Sequence, residues 1–387
     1  MRFIRVALLA LLAALAVLAL GFSGEDPAGT CAGRHWCPAV RLPASMTIAT
    51  GRASYRIARD GRVSRIHPPR RPYPRAATWF PGTGTWFEIR HVREVGRGRV
   101  GRGYLVVGRG TSALWRSREQ MAADQLGLIA AGSHAVAFQH NHRLYIAVYG
   151  GAERPVAARE LPLGWTTDGL YTYSYPRREL LLRSDGGALE KVIARRPVEY
   201  EFDLTGASLY FLSHGVLMVA HGAHMRRLAS LGRLGMSTDT WLQPLGPLVE
   251  LLDDRHLVLV RRDGSRFAST PMRKLDRISS FLAVPSHAGA VAFTAMSGPA
   301  EGPNAETVYL LRAGARAARA VLREPGSFGG CAQWASVEWH GSWLLYSNND
   351  GNLVAIETAG ARRALELSGL ARQLLGVRQG FDAHWSS

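Results

Sequence analysis

Apolar and polar positions form short, strand-like patterns along most of the chain, and the clearest of them runs from Ser342 to Thr358. It contains two apolar stretches joined by Asn-Asp-Gly, and Asp-Gly supplies the positive φ angles that a tight hairpin turn needs. In the second stretch Leu353 and Ala355 lie on one face of the strand, and Val354 and Ile356 lie on the other. A strand that is apolar on both faces must be covered on both faces. The pattern therefore predicts a β-hairpin inside a layered, all-β structure.

Seven further segments repeat this hairpin pattern. Each consists of an apolar strand, a turn that contains glycine, and a second strand. From the first predicted turn to the last there are seven steps of about 41 residues each, which is close to the period of four-stranded propeller blades. The eight predicted turn glycines are Gly61, Gly110, Gly151, Gly186, Gly222, Gly264, Gly314 and Gly351.

Most of these units have two more candidate strands before the hairpin. One apolar segment directly precedes it, and a further segment before that often carries an aromatic residue. The aromatic residues of these leading segments are Trp165, Phe202, Trp241, Phe281 and Trp334. Four strands in each unit are what a propeller blade requires.

The two ends of the chain complete each other in this pattern. The first unit begins at Met46–Ala49 without a leading strand, whereas segment 380–386 is a leading strand with nothing after it. We therefore predict an all-β fold: a closed β-propeller of four-stranded blades, closed by the C-terminal strand, because closure removes exposed sheet edges. Eight blades are expected, with seven as the alternative. Leucines in segment 365–377 predict a short helix before the closing strand.

Two segments resemble the repeats of known bacterial propellers. The sequence GNLVAIETAG at 351–360 is similar to the repeat of quinoprotein and BamB-type eight-bladed propellers. The sequence FDAHWS at 381–386 resembles the leading strand of TolB-type, WD40-like repeats. These motifs are structural, so the resemblance implies a fold and not a chemistry. The tryptophan-docking repeats expected of quinone-dependent dehydrogenases are missing from the sequence, and we predict no cofactor.

The N-terminus has the pattern of a targeting segment. Arg2 and Arg5 precede an apolar run over 6–20, and small residues follow at the positions that a signal peptidase requires. We predict a signal peptide or uncleaved anchor over 1–21, a linker over 22–43 and the propeller over 44–387. The expected location is outside the cytoplasmic membrane of a bacterium, either secreted or in the cell envelope.

Export permits disulfides, and the chain has three cysteines. Cys31 and Cys37 are the nearest pair and are predicted to form a disulfide that closes a small loop. Either of them could instead pair with Cys331, and one thiol is left over in every case.

Charge provides the first candidate binding residues. The net charge is +17 and is carried almost entirely by arginine, which favours anionic partners such as headgroups, wall polymers or nucleic acid. Arg97, Arg99 and Arg102 lie in a glycine-rich loop that could hold phosphate or carboxylate groups. A solvated loop between strands is the simpler interpretation.

Histidine and tryptophan provide the other candidates. His140 and His142 are two residues apart, so on a strand they would share a face, with His134 nearby. Trp165 is a candidate ligand platform at a channel mouth. A metal site needs three or four converging ligands, and the sequence has no HExxH or CxxC motif, so no metal is predicted.

Two acidic pairs are the candidates for catalytic carboxylates. Asp253 and Asp254 are adjacent and would point to opposite faces of a strand, whereas Glu199 and Glu201 would share a face. Glycosidase chemistry requires a set separation between two carboxylates, which a sequence does not supply. No catalytic residue is assigned, and solvated charges at strand ends are the simpler interpretation of both pairs.

These patterns predict an exported, non-catalytic β-propeller that binds or scaffolds. One face of the ring would hold a protein, a peptide or an anionic envelope polymer, since propellers place variable loops there. The alternative is a hydrolase or lyase acting on an envelope or extracellular polymer. We expect a monomer with no specific nucleic-acid partner, and membrane contact only through an uncleaved N-terminal segment.

Overall fold

The computed structural model describes fourteen stretches of the chain: 41–49, 54–66, 78–79, 85–93, 102–122, 125–204, 206–272, 277–278, 289–297, 305–325, 335–348, 351–359, 364–375 and 382–386. The predicted signal segment and all three cysteines lie outside these residues, so the predicted disulfide does too. The linker is described only from residue 41 onward.

Strands dominate the described residues and form eight antiparallel sheets, seven of four strands and one of five. The chain divides into two compact units. The first unit comprises residues 1–68, 275–310 and 319–387, and the second comprises 69–274 and 311–318.

The first unit has three sheets. Their strands are β1 (Met46–Ala49), β2 (Ser54–Ile57), β3 (Val63–Ile66), β25 (Arg277–Ile278), β26 (Ala290–Ser297), β27 (Ala305–Arg312), β28 (Arg319–Pro325), β29 (Ala335–His340), β30 (Trp343–Asn348), β31 (Leu353–Glu357), β32 (Ala364–Glu366) and β33 (Asp382–Trp385). The spatial orders are β33-β1-β2-β3, β25-β26-β27-β28 and β29-β30-β31-β32. The last two residues of β27 group with the second unit.

The second unit has five sheets. Their strands are β4 (Thr78–Trp79), β5 (Thr85–Arg93), β6 (Arg102–Arg109), β7 (Ser112–Arg116), β8 (Met121–Ala122), β9 (Leu126–Ala131), β10 (Ala135–His140), β11 (Arg143–Val148), β12 (Arg154–Ala158), β13 (Glu160–Thr166), β14 (Gly169–Ser174), β15 (Glu179–Arg183), β16 (Leu189–Arg195), β17 (Glu199–Asp203), β18 (Ser208–Ser213), β19 (Val216–His221), β20 (His224–Ser230), β21 (Trp241–Leu245), β22 (Leu248–Leu252), β23 (His256–Arg261) and β24 (Arg266–Pro271). Strands follow the chain order within each sheet, and β8 is a fifth strand that pairs with β6.

The two chain ends share one sheet, as the sequence predicts. β33 pairs antiparallel with β1, so that Met46 lies opposite Trp385 and Ile48 lies opposite Ala383. Met46 and Ile48 are fully buried in the core of this sheet. The C-terminal strand therefore supplies the leading strand that the first unit lacks.

Turn glycines confirm the hairpins but correct three details. In the β9–β12 and β13–β16 sheets the positive φ belongs to Gly150 and Gly187, not to the neighbouring Gly151 and Gly186. Gly351 also has a positive φ, of 79°, but its hairpin joins the second and third strands of a sheet, whereas the other seven join the third and fourth. The prediction therefore misplaces the last hairpin by one strand within its sheet. Both kinds of hairpin have the same local pattern of two apolar strands and a tight turn, so the sequence does not distinguish them.

Packing between neighbouring sheets explains why the strands are apolar on both faces. Tyr171 of β14 and Phe211 of β18 belong to one core cluster, so the β13–β16 and β17–β20 sheets are packed face to face. Val136 and Phe138 of β10 pack in the same way with Leu105 of β6.

Two helices complete the described structure. α1 (Leu231–Leu234) is a single turn that ends at Gly235 in the left-handed conformation. α2 (Ser368–Leu375) lies within the predicted helical segment, and its Leu370 and Ala371 are buried against the sheet that contains β1.

Candidate functional site

A cavity of about 840 Å³ lies along the leading strands of three neighbouring sheets in the second unit. A leading strand is the first strand of its sheet in chain order, and here these are β9, β13 and β17. They contact one another in turn, β9 with β13 and β13 with β17. The wall is mostly apolar, and its larger side chains are Leu128, Leu161, Leu163, Trp165, Phe202 and Leu204.

Glycines let these strands approach each other closely. A Cβ atom on Gly164 of β13 would lie 2.0 Å from the Phe202 ring of β17. A Cβ atom on Gly132, just after β9, would lie 2.9 Å from the Trp165 ring of β13. Each glycine therefore makes room for the aromatic residue of the next leading strand, and these aromatic residues form the wall of the cavity.

Trp165 lies in the cavity wall, as its prediction as a ligand platform requires. Its indole is 9% exposed, and Nε1 donates a hydrogen bond of 3.1 Å to the carbonyl oxygen of Ala130. This bond fixes the ring between two sheets. Trp165 therefore offers an apolar edge to the cavity and has no free donor.

The rim of the cavity contains a hydrogen-bonded series. The hydroxyl of Ser133 lies 3.1 Å from Nδ1 of His134, and Nε2 of His134 lies 2.7 Å from Oδ2 of Asp185. The side chains of His134 and Asp185 are 49% and 51% exposed. The pair joins the β9–β12 sheet to the β13–β16 sheet, and water screens much of its attraction.

The carbonyl oxygen of Gly132 accepts hydrogen bonds from two further side chains beside this rim. Arg109 donates from Nη2 over 3.3 Å, and the Tyr149 hydroxyl donates over 3.1 Å. Burial raises the pKa of Tyr149 to about 12, against a smaller lowering by Arg109. Tyr149 is therefore a neutral donor at physiological pH, and Arg109 is the fixed positive charge of this end.

The opposite end of the cavity is acidic and aromatic. Tyr200 and Glu201 of β17 line it. The ring of Tyr200 stacks on Tyr173 with centroids 4.6 Å apart, and Tyr175 meets Tyr173 edge to face at 5.2 Å. Desolvation, followed by the charge of Glu199, raises the pKa of Glu201, although its side chain keeps contact with solvent.

The structure does not place the predicted histidine pair on one strand face. His140 ends β10, but His142 lies in the turn to β11, where Asn141 and His142 both have positive φ, 50° and 59°. A two-residue turn of this kind reverses the chain, so the two side chains do not share a strand face. His134 lies just before the other end of β10, roughly 20 Å from His140 at the rise of an extended strand.

The structure describes only some of the other predicted site residues. Arg97 and Arg99 lie outside the described residues. Arg102 begins β6 and is exposed, at the end of the sheets where His140 lies. Burial lowers the pKa of His140, and Arg102 lowers it further. Trp165 lines the cavity, whereas Arg102 and His140 do not, so these three described residues do not form one site.

The structure places the two predicted acidic pairs in different environments. Asp253 is buried and accepts backbone N–H bonds from Ser237, Arg255 and His256, so its role is to hold a turn. Asp254 is exposed, as expected of a strand-end charge. Glu201 lies in the cavity wall. The position of this pair on a leading strand next to the aromatic Phe202 is the sequence signal that could have selected it.

The described part of the chain offers neither a metal-binding cluster nor a membrane-spanning helix. No group of three or more histidine, cysteine, aspartate or glutamate side chains is placed there to hold a metal ion. Within the same residues, no helix is both long and apolar enough to span a membrane.

Comparison with known proteins bears on the fold. No family model and no curated protein matches the sequence. Among solved structures, AztD from Citrobacter koseri aligns with 89% of this chain and 98% of its own, at 12% identity and a TM-score of 0.51. The chain has the fold of a β-propeller.

Two other structures are similar over less of the chain. BamB from Moraxella catarrhalis aligns with 72% of this chain and 91% of its own, at 10% identity and a TM-score of 0.40. The WD40 domain of SCAP from fission yeast aligns with 74% and 84%, at 11% identity and a TM-score of 0.41. It is the alignment with AztD that confirms the predicted resemblance to propellers for the fold, and a likeness at this identity implies no chemistry.

Proposed function

We propose that this chain is a non-catalytic binding protein that holds an extended peptide or protein segment in the cavity between β9, β13 and β17. The observation that carries the proposal is the composition of the cavity. It joins an apolar wall to a few fixed polar groups, which is the usual construction of a binding pocket. Leu128 is 52% exposed and Leu204 is 37% exposed, so both offer apolar surface to a partner.

The eight sheets are the basis of a second proposal, which concerns the complete fold. We propose that they are the blades of a closed, eight-bladed propeller in which the pairing of β33 with β1 completes the ring. The cavity would then lie at a mouth of the central channel, where propellers place their variable loops.

The proposed location is the cell envelope or the exterior of a bacterium. Support comes from the basic residues and apolar run of segment 1–21. Residues 1–43 fused to alkaline phosphatase, which is active only after export, should give active enzyme in bacteria. A fusion that stays inactive and cytoplasmic would contradict export.

Peptide binding is tested by substitutions that place a negative charge on the cavity wall. Leu128→Asp and Leu204→Asp should each weaken binding of a fluorescent pool of random heptapeptides at least tenfold. The matched control is Leu189→Asp, because Leu189 is 43% exposed but lies on β16, away from the cavity. Equal losses in all three variants, or no retention of the pool by the unaltered protein, would contradict the proposal.

A hydrolase is the second candidate, and the series Ser133–His134–Asp185 favours it. Serine, histidine and aspartate bonded in this order are the groups that activate a nucleophilic hydroxyl. We rank it second because Ser133 and His134 are consecutive residues and the His134–Asp185 pair is half exposed. A fluorophosphonate probe should leave the protein unlabelled. Labelling that is lost in Ser133→Ala would favour the hydrolase.

An anionic polymer is the remaining proposed partner, and it rests on Arg97, Arg99 and Arg102. Contacts with a polyanion weaken steeply as salt rises, because each contact releases counterions. Affinity for an anionic polymer that is unchanged between low and high salt, or after replacement of the three arginines, would remove this partner from consideration.

A further inference from the structure

Arg109 brings a positive charge to one end of a cavity whose wall is mostly apolar. It is the last residue of β6, and it is the only lysine or arginine among the described residues that line the cavity. Its guanidinium forms no ion pair with a carboxylate of the described residues. The residue is exposed, so its charge is accessible to a ligand that enters the cavity.

Two hydrogen bonds orient the Arg109 guanidinium without using all of its donors. Nη2 donates to the carbonyl oxygen of Gly132 over 3.3 Å, and Nε donates to the hydroxyl of Thr85 over 3.4 Å. A guanidinium carries five N–H donors, so three remain, and both hydrogens of Nη1 are among them. Nη1 and Nη2 form an edge that can bind the two oxygens of a carboxylate at once. Arg109 therefore keeps one edge of its fork available to an anion.

The charge and the apolar wall meet at Gly132. Its carbonyl oxygen accepts the bond from Arg109, and a Cβ atom on it would lie 2.9 Å from the Trp165 ring. Trp165 belongs to β13, and beyond it the wall continues to Phe202 on β17. A chain that lies across these strands therefore reaches Arg109 at one of its ends only. The position of the charge suits the terminal group of a ligand.

From this arrangement we infer that the cavity holds its peptide by the C-terminal carboxylate, which binds to Arg109 while the preceding apolar side chains lie along Leu128 and Trp165. A carboxylate and a guanidinium form paired, charge-assisted hydrogen bonds, which are stronger than those that a neutral amide would form. This inference rests on the proposed function and narrows the class of partner to segments that end in a free C-terminus.

The test uses the full chain and three pools of heptapeptides, labelled with a fluorophore at the N-terminus and otherwise without acidic side chains. The first pool ends in a free carboxylate, the second ends in an amide, and the third ends in an amidated aspartate. The free-carboxylate pool should bind at least tenfold more tightly than the amide pool. Higher salt should reduce this difference, because ions screen an exposed pair. In Arg109→Gln the two pools should bind equally.

Two further variants serve as controls. Arg227→Gln removes an exposed arginine on β20, away from the cavity, and should keep the preference for the free carboxylate. Arg109→Lys keeps the charge without the planar fork and should retain part of the preference. Equal loss of the preference in Arg109→Gln and Arg227→Gln would reveal an effect of net charge and overturn the assignment. The comparison of the pools on the unaltered protein does not depend on the folding of any variant.

The outcomes separate the two proposals. If the amide pool binds as tightly as the free-carboxylate pool, and Leu128→Asp still weakens binding, the carboxylate inference is wrong and the binding cavity stands. If no pool binds, both are wrong. An aspartate pool that binds as tightly as the free-carboxylate pool would overturn the C-terminus in favour of an acidic side chain. Calorimetry with laurate tests a fatty acid as the occupant: tighter binding than that of the peptides would overturn the peptide, and weaker binding supports it.

Discussion

Arg183 and Glu160 form a bidentate ion pair inside the β13–β16 sheet. Nε and Nη2 of Arg183 each donate a hydrogen bond of 2.8 Å to a different oxygen of Glu160. Their side chains are 10% and 5% exposed, and Thr172 donates a further bond to the carboxylate. The pair joins the leading strand β13 to β15 and so positions one wall of the cavity.

Removal of the arginine should be costly. Arg183→Leu leaves the buried carboxylate of Glu160 without its counter-charge, and we expect the free energy of unfolding to fall by about 3–5 kcal/mol. Chemical denaturation measures this loss. The control is Arg195→Leu, whose guanidinium is 78% exposed beside Glu179 and should cost less than about 1 kcal/mol. Equal losses in both variants would contradict a special role for the buried pair.

Glu250 should make stability depend on pH. It is 2% exposed on β22, and burial raises its pKa from 4.5 to about 8. A group whose pKa is raised on folding stabilises the protein below its unfolded pKa, and that stabilisation is lost as the pH rises through the folded value. From pH 6 to pH 9 the unaltered protein should lose about 2–3 kcal/mol relative to Glu250→Gln.

Urea denaturation of both proteins at pH 6 and pH 9 checks this difference. The glutamine variant keeps the shape of the side chain and cannot ionise, so it cancels the contribution of every other titrating group. Parallel pH dependence in the two proteins would show that Glu250 is already ionised at neutral pH.

The C-terminal strand should be essential for the first unit. Deletion of 382–387 removes β33 and uncovers Met46 and Ile48, which are fully buried. Burial of side chains of this size contributes about 1.5–3 kcal/mol each, so we expect a loss of more than about 3 kcal/mol. Thermal unfolding compares this variant with a chain that lacks only Ser387. An unchanged melting temperature after deletion would show that the pairing of the chain ends does not stabilise the protein.

The adjacent residues Gly186 and Gly187 test the observed turn against the turn predicted from the sequence. Gly187 has a φ of 86°, and a Cβ there would lie 2.7 Å from Val156. A Cβ on Gly186 would lie 3.7 Å from the Ser184 hydroxyl oxygen, which is an ordinary van der Waals distance. We expect Gly187→Ala to cost about 1–2 kcal/mol, because the left-handed conformation strains a side chain. Gly186→Ala should change stability by less than about 0.5 kcal/mol. If denaturation shows the larger loss of stability for Gly186→Ala, the turn glycine is Gly186, as the sequence pattern predicts.

Much of the fold could be predicted because its signals are local. An apolar strand, a turn glycine and a second strand are close together in the chain, and eight such hairpins are present. The same locality explains the errors. A hairpin between strands two and three has the same pattern as one between strands three and four, so Gly351 was assigned to the wrong position in its sheet. The strand face expected to be shared by His140 and His142 fails for a similar reason, because nothing local shows that the strand ends at His140.

The candidate site could be predicted only in part. Trp165 was selected for its leading strand, and it does line the cavity. Glu201 is predicted only as half of an acidic pair that has no rank, since the ring stack at this end of the cavity joins Tyr200 to Tyr173 on another sheet, 27 positions earlier. His134 and Asp185 are 51 positions apart, and only the packing of two sheets joins them.

By itself the sequence determined the all-β class and the hairpin repeat, because turn conformations and alternating apolar positions are properties of neighbouring residues. The pairing of the chain ends followed from the repeat, since the first unit lacks a leading strand and the last segment supplies one. Only the tertiary structure decided which side chains meet. Gly164 admits Phe202, Gly132 admits Trp165, and the leading strands thereby enclose one cavity with Arg109 at one end and Glu201 at the other. Such convergence depends on the register and spacing of strands that are distant in the chain, which no local pattern encodes.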